Sequence, residues 1–427
     1  MKIMVIGGGG REHAIIKKLR QSPEVDIIFA LPGNGGIARD AVCTGIGATD
    51  IPSLLEFAKG NSIDFAVVAP DDPLVLGVVD ELENIGIPCF GPNKAAAIVE
   101  GSKVFSKNLM KKYNIPTAEY EIFTDASAAL NYLETAPIPT VIKADGLALG
   151  KGVIIAMTRD EAKVAIRSMM EDKVFGESGS QVVIEEFLEG PEVSVLSFTD
   201  GKTVVPMVSS MDHKRAHDND EGLNTGGMGT VAPNPYYTEA IAAECMEKIF
   251  IPTINAMNTE NRTFRGCLYF GLMLTKHGPK VIEYNCRFGD PETQVVLPLL
   301  ESDLVDIMFA TRNGTLAETE VKFSSGAACC VIMASQGYPE KYEKGYEISL
   351  PNPEPSDTEI YVAGAKLEDG KLLSNGGRVL GVTAKAADLQ SAVDKAYNAV
   401  KLVHFGNAFY RNDIGQKALK AYEKEAQ

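Results

Sequence analysis

No apolar run in the 427-residue sequence approaches the roughly 18 residues needed to cross a bilayer, and the first apolar stretch, Ile3 to Ile6, stops at four glycines. We therefore expect no signal peptide and no membrane partner. Basic residues are short too: 41 Lys and Arg against 57 Asp and Glu leave a net charge of −16. Such a surface repels a polyphosphate backbone, which argues against nucleic acid as a partner. Histidine is scarce, and only His213 and His217 lie near each other, without a third ligand that would make a zinc site. The seven cysteines are an odd number without Cys-x-x-Cys spacing, which points to reduced thiols in a cytoplasmic protein. Cys329 and Cys330 fall in an apolar run and read as buried packing rather than redox chemistry. Repeats and low-complexity tracts are absent. What is present, 45% hydrophobic and 23% charged residues, is ordinary for a folded soluble chain, and the length predicts about three domains at roughly 150 residues each.

The first hundred residues alternate short β-like runs (Ile3–Ile6, Ile27–Ala30, Ile63–Ala69, Ile87–Phe90) with helical ones (Glu12–Leu19, Pro73–Ile85), a βαβ rhythm that predicts a parallel sheet. Ser53 and Glu56 have capping-box spacing before a stop at Gly60. From Thr140 the pattern becomes antiparallel β with interspersed helices, one opened by a second capping box, Thr158 and Glu161. Asp200-Gly201 and Asn375-Gly376 each read as a two-residue hairpin turn, the latter joining Leu372–Ser374 to Val379–Thr383. The proline-rich 351–355 stretch reads as loop and the last forty residues as mostly helix.

Five segments carry chemistry. Gly8, Gly9, Gly10, Arg11 and Glu12 join the first strand to the first helix, where free N–H groups suit a phosphate. Glu12 stands where a dinucleotide fingerprint wants its third glycine, so a nicotinamide cofactor is disfavoured, and a merely tight turn is the plain alternative. Pro32, Gly33 and Asn34 end the next strand and face the same crevice. The 143–152 segment sets Lys143 at a strand end before Asp145, Gly146, Gly150, Lys151 and Gly152, a loop suited to polyphosphate though not a P-loop; its plain alternative is an exposed hairpin. Around 185–192, Phe187 and Leu188 can pack on a purine, with Glu185 and Glu192 near its ribose, although an isolated segment of this kind is more often an ordinary loop. The 212–229 connection packs Asp212, Lys214, Asn224, Thr225, Gly226 and Gly227 into one irregular stretch. Finally, Glu283 and Asn285 share one face of a strand, one charged and one neutral oxygen of the kind hard Mg²⁺ accepts, with Arg287 and Asp290 just beyond; a buried polar cluster is the alternative.

Taken together these strings resemble the ATP-grasp ligases, and within them the phosphoribosylamine–glycine ligase family of purine biosynthesis. The likeness runs through GGGGREHA, GSKVFSKNLMKKYNIPTAEY at 101–120, VIKADGLALGKGV at 141–153, EEFLEGPEVS, DHKRAHDNDEGLNTGGMGT at 212–230, IEYNCRFGDPETQVVLP at 282–298, NGGRVLGVTA and YRNDIG. Departures are small: Ala69-Pro70-Asp71 replaces a usual Gly-Pro-Glu, Leu149 a usual alanine. Many ATP-grasp enzymes carry another carboxylate where Gly271-Leu272-Met273-Leu274 is apolar, which counts against a full two-metal site.

The resemblance implies an α/β and α+β multidomain fold: an N-terminal Rossmann-like parallel sheet at 1–102, an ATP-grasp lid at 103–190, an ATP-grasp core at 191–325 and a C-terminal α+β domain at 326–427. It implies ATP on Lys103, Lys143 and the 145–152 loop, adenine against Phe187 and Leu188, and Mg²⁺ or Mn²⁺ on Glu283 and Asn285. Phosphoribosylamine would span Gly8–Glu12 and Pro32–Asn34. Glycine and its phosphorylated form would lie against Asp212, Lys214, Asn224, Thr225, Arg287 and Asp290. The Gly226 and Gly227 N–H groups would serve the oxyanion, and the glycine-rich hairpin would close over ATP. The implied reaction is ATP-dependent ligation of glycine to 5-phosphoribosylamine by a monomer or weak homodimer. Another ATP-grasp carboxylate–amine ligase and a non-catalytic nucleotide-binding regulator are the alternatives.

Overall fold

The computed structural model describes residues 1–147 and 152–425. The N-terminal unit runs β1 (Lys2–Gly7), α1 (Gly10–Leu19), β2 (Ile27–Pro32), β3 (Val42–Cys43), α2 (Ile51–Gly60), β4 (Phe65–Val68), α3 (Asp71–Leu76), α4 (Val78–Asn84) and β5 (Cys89–Phe90). Its sheet is parallel, in the order β3-β2-β1-β4-β5, as the βαβ rhythm predicts. The carboxyl ends of β1 and β2 therefore lie side by side, Gly7 opposite Pro32. The expected single helical run over Pro73–Ile85 is two helices, because Gly77 adopts φ +95 between them. At the start of α2 the capping box is not used: Asp50 is the N-cap, accepting from the Ser53 N–H at 3.3 Å and the Ser53 hydroxyl at 2.8 Å, so Ser53 already sits in the first turn.

Helices α5 (Lys94–Gly101) and α6 (Lys103–Lys112) lead into a four-stranded antiparallel sheet. It comprises β6 (Tyr120–Phe123), β7 (Thr140–Ala144), β8 (Val153–Ala156) and β9 (Val182–Glu186), in the order β6-β9-β7-β8, with α7 (Ala126–Leu133) and α8 (Arg159–Ile166) packed on it. Thr158 caps α8 as its spacing predicts.

A third sheet holds β10 (Glu192–Thr199) and β11 (Val204–Pro206). The hairpin between them exists, but its loop is four residues, Asp200 to Thr203, because the Asp200 carboxylate accepts from the Lys202 and Thr203 N–H groups and holds a wider turn. The chain continues through β12 (Met211–Asp212), β13 (Arg215–His217), β14 (Glu221–Asn224) and β15 (Gly229–Ala232). Beyond α9 (Glu239–Cys245) and α10 (Ile251–Thr259), β16 (Gly266–Thr275) and β17 (Gly278–Asn285) complete the sheet as β11-β10-β16-β17. One hydrophobic cluster joins Met4, Ile6 and Val68 of the first sheet to Phe270, Val281 and Tyr284 of this one, so the two sheets share a core.

After α11 (Thr293–Leu299) and α12 (Leu304–Asn313) comes β18 (Ala327–Ser335), buried throughout, with Cys329 and Cys330 in its middle. It centres a sheet ordered β12-β15-β18-β22-β19, where β19 is Thr358–Val362 and β22 is Arg378–Ala386. The hairpin expected at Asn375-Gly376 is not formed. Between β19 and β22 lie β20 (Ala365–Glu368) and β21 (Lys371–Ser374), which pair with each other across Asp369-Gly370. Asp369 and Gly370 both have positive φ, as a type I′ turn requires, and Asn375 and Gly376 do not. Strand β22 instead takes β18 and β19 as partners. Helix α13 (Leu389–Val400), β23 (Ala408–Phe409) on β18, and α14 (Gln416–Glu425) close the chain.

Candidate active site

The glycine loop after β1 is shaped by Glu12 as much as by its glycines. Glu12 is buried, accepts from the Gly9 N–H at 2.6 Å and from Arg11 Nε at 2.6 Å, and a Cβ on Gly7 would stand 2.5 Å from its side chain. The Gly9 N–H is therefore already taken and is not the free phosphate donor that the loop's composition suggests. Asn34 is equally committed: it donates to the Gly8 and Val362 carbonyls and accepts from the Gly36 and Ile37 N–H groups, bracing the loop from the side. A Cβ on Gly8 would meet the Gly33 carbonyl at 2.4 Å, so the Pro32–Asn34 and Gly8–Gly10 segments are in contact, as expected of a shared crevice. Across from Gly9 and Gly10 stands Asp290: a Cβ on either glycine would lie within 3.8 Å of its carboxylate. Burial alone would raise the Asp290 pKa, but Arg378, Arg11 and Arg287 hold it below the usual range.

Where the sequence leads us to expect nucleotide, Lys143, the penultimate residue of β7, donates to the Ile282 carbonyl at 2.9 Å while facing Glu185 at 3.1 Å. Lys107, which the sequence did not single out, faces the same Glu185 oxygen at 3.1 Å, and the other Glu185 oxygen is buried without a partner. Lys103, at the start of α6, reaches the Gly146 carbonyl at 2.8 Å. Asp145 serves that helix: its carboxylate accepts from the Ser102 hydroxyl and the Val104 N–H. Gly152 accepts from the Ala144 N–H across the base of the loop. Phe187 and Leu188 are half-buried just past β9, and Glu192 is exposed at the start of β10. Gly150 and Lys151, and with them the expected closure over ATP, lie outside the described residues.

The two ends meet on β17. Glu283 lies opposite Gly271, whose missing side chain leaves it room. Lys214 is 3.8 Å away, and although burial works against ionisation, Lys214, Lys143, Lys103 and Arg287 keep the Glu283 pKa below the usual carboxylate range. Asn285 Oδ1 receives only a long contact, 3.3 Å, from Arg287. Arg287 itself is held at 2.7 Å by Glu100, with Asp71 at 3.9 Å, and its Nε is buried without a partner. Among the described residues no three His, Cys, Asp or Glu side chains gather to hold a metal alone. One carboxylate and one free amide oxygen on a strand face fit a hard divalent cation whose remaining ligands come from substrate phosphates.

The 212–229 connection has less freedom than its composition suggests. Asp212 takes the His213 N–H at 2.7 Å, and burial together with Glu292 raises its pKa well above the usual range. Thr225 binds the Lys214 carbonyl through both its N–H and its hydroxyl, and Asn224 is exposed, its backbone paired with Arg215. Gly226 N–H donates to the Tyr338 hydroxyl at 3.1 Å and Gly227 N–H to Thr225 Oγ1 at 2.9 Å, so the two expected oxyanion donors are occupied. Arg378 on β22 donates to the Gly226, Gly227 and Asp290 carbonyls, tying the C-terminal domain to this loop. His213 spends both ring nitrogens on Gly229 and Gly415, which leaves none for a metal.

Three family models match the chain in order: the phosphoribosylglycinamide synthetase N domain over residues 1–100, its ATP-grasp (A) domain over 101–293, and its C domain over 328–417. The chain belongs to the phosphoribosylglycinamide synthetase family. The phosphoribosylamine–glycine ligase of Clostridium acetobutylicum is 47% identical over 97% of this chain and 100% of its own length, and that of Haemophilus influenzae 47% over 98% and 99%. A crystal structure of phosphoribosylamine–glycine ligase from Thermotoga maritima, 34% identical, superposes with a TM-score of 0.83 over 97% of this chain and 100% of that one. The biotin carboxylase domain of Hydrogenobacter thermophilus 2-oxoglutarate carboxylase shares the fold alone, at 15% identity and TM-score 0.73 over 96% of this chain and 91% of that one. As an ATP-grasp ligase of the phosphoribosylglycinamide synthetase family, the chain binds ATP with a divalent metal. Glu100 lies just outside the strings that carry the resemblance, while Lys107, Glu292 and Arg378 lie inside them, at 101–120, 282–298 and NGGRVLGVTA, without a site role read from the sequence.

Proposed function

We propose that the chain joins glycine to 5-phosphoribosylamine, with ATP converted to ADP and phosphate through a glycyl phosphate intermediate. One observation carries this reading: Lys214, Lys143, Lys103 and Arg287 all act on Glu283, Arg287 reaches Asn285 Oδ1, and Arg11 and Arg287 act on Asp290, which stands against Gly9 and Gly10. Groups so arranged suit a nucleoside triphosphate at the Lys103 and Lys143 end, a sugar phosphate at the Gly8–Gly10 end and a small carboxylate between. Bound Mg²⁺ or Mn²⁺ on Glu283 and Asn285 supplies neutralisation of phosphate charge.

Lys103 and Lys143 hold the triphosphate, and Phe187 and Leu188 cover the adenine. A glycine carboxylate oxygen attacks the γ-phosphorus in line, the bond to ADP breaks, and the Arg287 guanidinium offsets the charge on the transferred group. The amine of phosphoribosylamine then attacks the acyl carbon and phosphate departs. Lys214 and Arg287 face the oxyanion in place of the occupied Gly226 and Gly227 N–H groups. Asp212 Oδ2 takes the proton that the amine sheds. The sugar phosphate rests along Gly8, Gly10, Arg11 and Gly33. All named groups come from one chain, so we propose that it acts as a monomer or weak homodimer, and in the cytoplasm, where its seven free thiols remain reduced.

Glycine labelled with ¹⁸O in both carboxyl oxygens tests the route. Each turnover should put one labelled oxygen into inorganic phosphate and leave one in the amide; phosphate free of label would exclude glycyl phosphate.

A further inference from the structure

Arg287 needs a fixed aim, and the structure shows what gives it. Its guanidinium lies in a buried setting where an uncompensated charge is costly. Glu100, on the last turn of α5, is itself 8% exposed and spends one carboxylate oxygen on Arg287 Nη2 at 2.7 Å. The other oxygen accepts from the Cys286 N–H, also at 2.7 Å. A single side chain thereby holds two consecutive residues at the end of β17, one by its backbone and one by its charge. Nη1 turns to the Phe288 carbonyl at 3.3 Å, and Nε is left without a partner.

This division of donors matters on both sides of Arg287. With Nη2 drawn to Glu100, the contact to Asn285 Oδ1 stays at 3.3 Å, so that oxygen keeps a lone pair for a cation. With the guanidinium pinned at one end, Nη1, which carries two N–H donors and makes one 3.3 Å bond to Phe288, keeps a donor for an incoming anion. Glu100 is also three residues before Lys103, which reaches Gly146, and two before Ser102, which binds Asp145. The short 100–104 segment thus touches the nucleotide loop at one end and the strand bearing Glu283 and Asn285 at the other.

We propose that Glu100 is a positioning residue for phosphoryl transfer, acting through Arg287 to fix the aim of its guanidinium and hold it off Asn285 Oδ1. The assignment rests on the reaction given above. It is tested with Glu100→Gln, Arg287→Lys and the double variant in glycine-dependent ADP formation. Glu100→Gln should lower kcat at least tenfold with the KM for ATP within threefold of the unaltered chain, and Glu100→Asp, which keeps the charge, should fall between. In the Arg287→Lys background the same change should cost less than twofold, because the group through which Glu100 acts is already displaced. A kcat within twofold of normal, a KM for ATP that rises to account for the loss, or the same loss in both backgrounds would overturn the proposal. Should Glu100→Gln not fold, Glu100→Asp takes its place in the cycle: its loss must vanish beside Arg287→Lys, and an equal loss in both backgrounds overturns the proposal. If the unaltered chain forms no ADP in response to glycine, the reaction assignment falls and this one with it; if it does and the cycle is additive, only this one falls.

Discussion

Replacing Glu283 by glutamine keeps the size of the side chain and removes its charge. In the folded chain that charge faces Lys214 at 3.8 Å, with side-chain exposures of 31% and 39%, and lies in the fields of Lys143, Lys103 and Arg287. Two unit charges at that separation interact by about 4 kcal/mol at an effective dielectric near 20. Both groups are partly solvated, so screening reduces the contribution to folding to about 1 kcal/mol. Turnover should fall much further. If Glu283 is the proposed carboxylate ligand, cation placement and neutralisation of the transferring phosphoryl group should weaken together without it, by roughly 10²–10³ in kcat. Steady-state ADP formation across a Mg²⁺ titration and thermal unfolding, measured on one preparation, separate the two effects. A near-normal kcat at saturating Mg²⁺ with a clearly lowered Tm would refute the reasoning. Glu283 would then only complete a polar cluster, and Asn285 beside it would lose its role as well.

Two further perturbations read other parts of the structure. Burial pushes the His213 pKa down to about 4, its Nε2 accepting from the Gly415 N–H, so the folded chain refuses a proton that the unfolded chain takes at 6.5. The contribution is complete above pH 6.5 and is lost as pH falls toward 4, about 3 kcal/mol in all, and His213→Gln should flatten the denaturation profile across that window; parallel profiles would contradict it. Arg378→Met releases the Gly226, Gly227 and Asp290 carbonyls together and should lower kcat by about 10–10² while leaving the KM for ATP within threefold; a raised KM for ATP at unchanged kcat would place Arg378 in the nucleotide site instead.

The N-terminal sheet was legible in the sequence because its strands and helices follow one another with strong periodicity and short connections. Turn chemistry was less so. Asn375-Gly376 and Asp369-Gly370 look alike as dipeptides, and what separates them is φ, set by which strands the large sheet recruits. Asp50 displaced Ser53 as cap for a similar local reason, being one turn earlier and anionic. The strand positions of Lys143, Glu283 and Asn285 could be read because alternation along a strand fixes the side of each residue. The contacts of Glu100 and Arg378 could not: their partners lie 187 and 152 residues away, and the NGGRVLGVTA string around Arg378 does not say what it binds. Nor does composition reveal that Gly9, Gly226 and Gly227 N–H groups are taken by Glu12, Tyr338 and Thr225. A glycine-rich string shows where backbone donors are, and only the fold shows which remain free.

The most direct test of the central claim is ADP formation by the purified chain with Mg²⁺ and ATP, omitting glycine and 5-phosphoribosylamine in turn. The account predicts sustained ADP release only when both are present, because glycyl phosphate needs its amine acceptor to be discharged. Rapid release without glycine, or equal turnover with unrelated carboxylates, would contradict it.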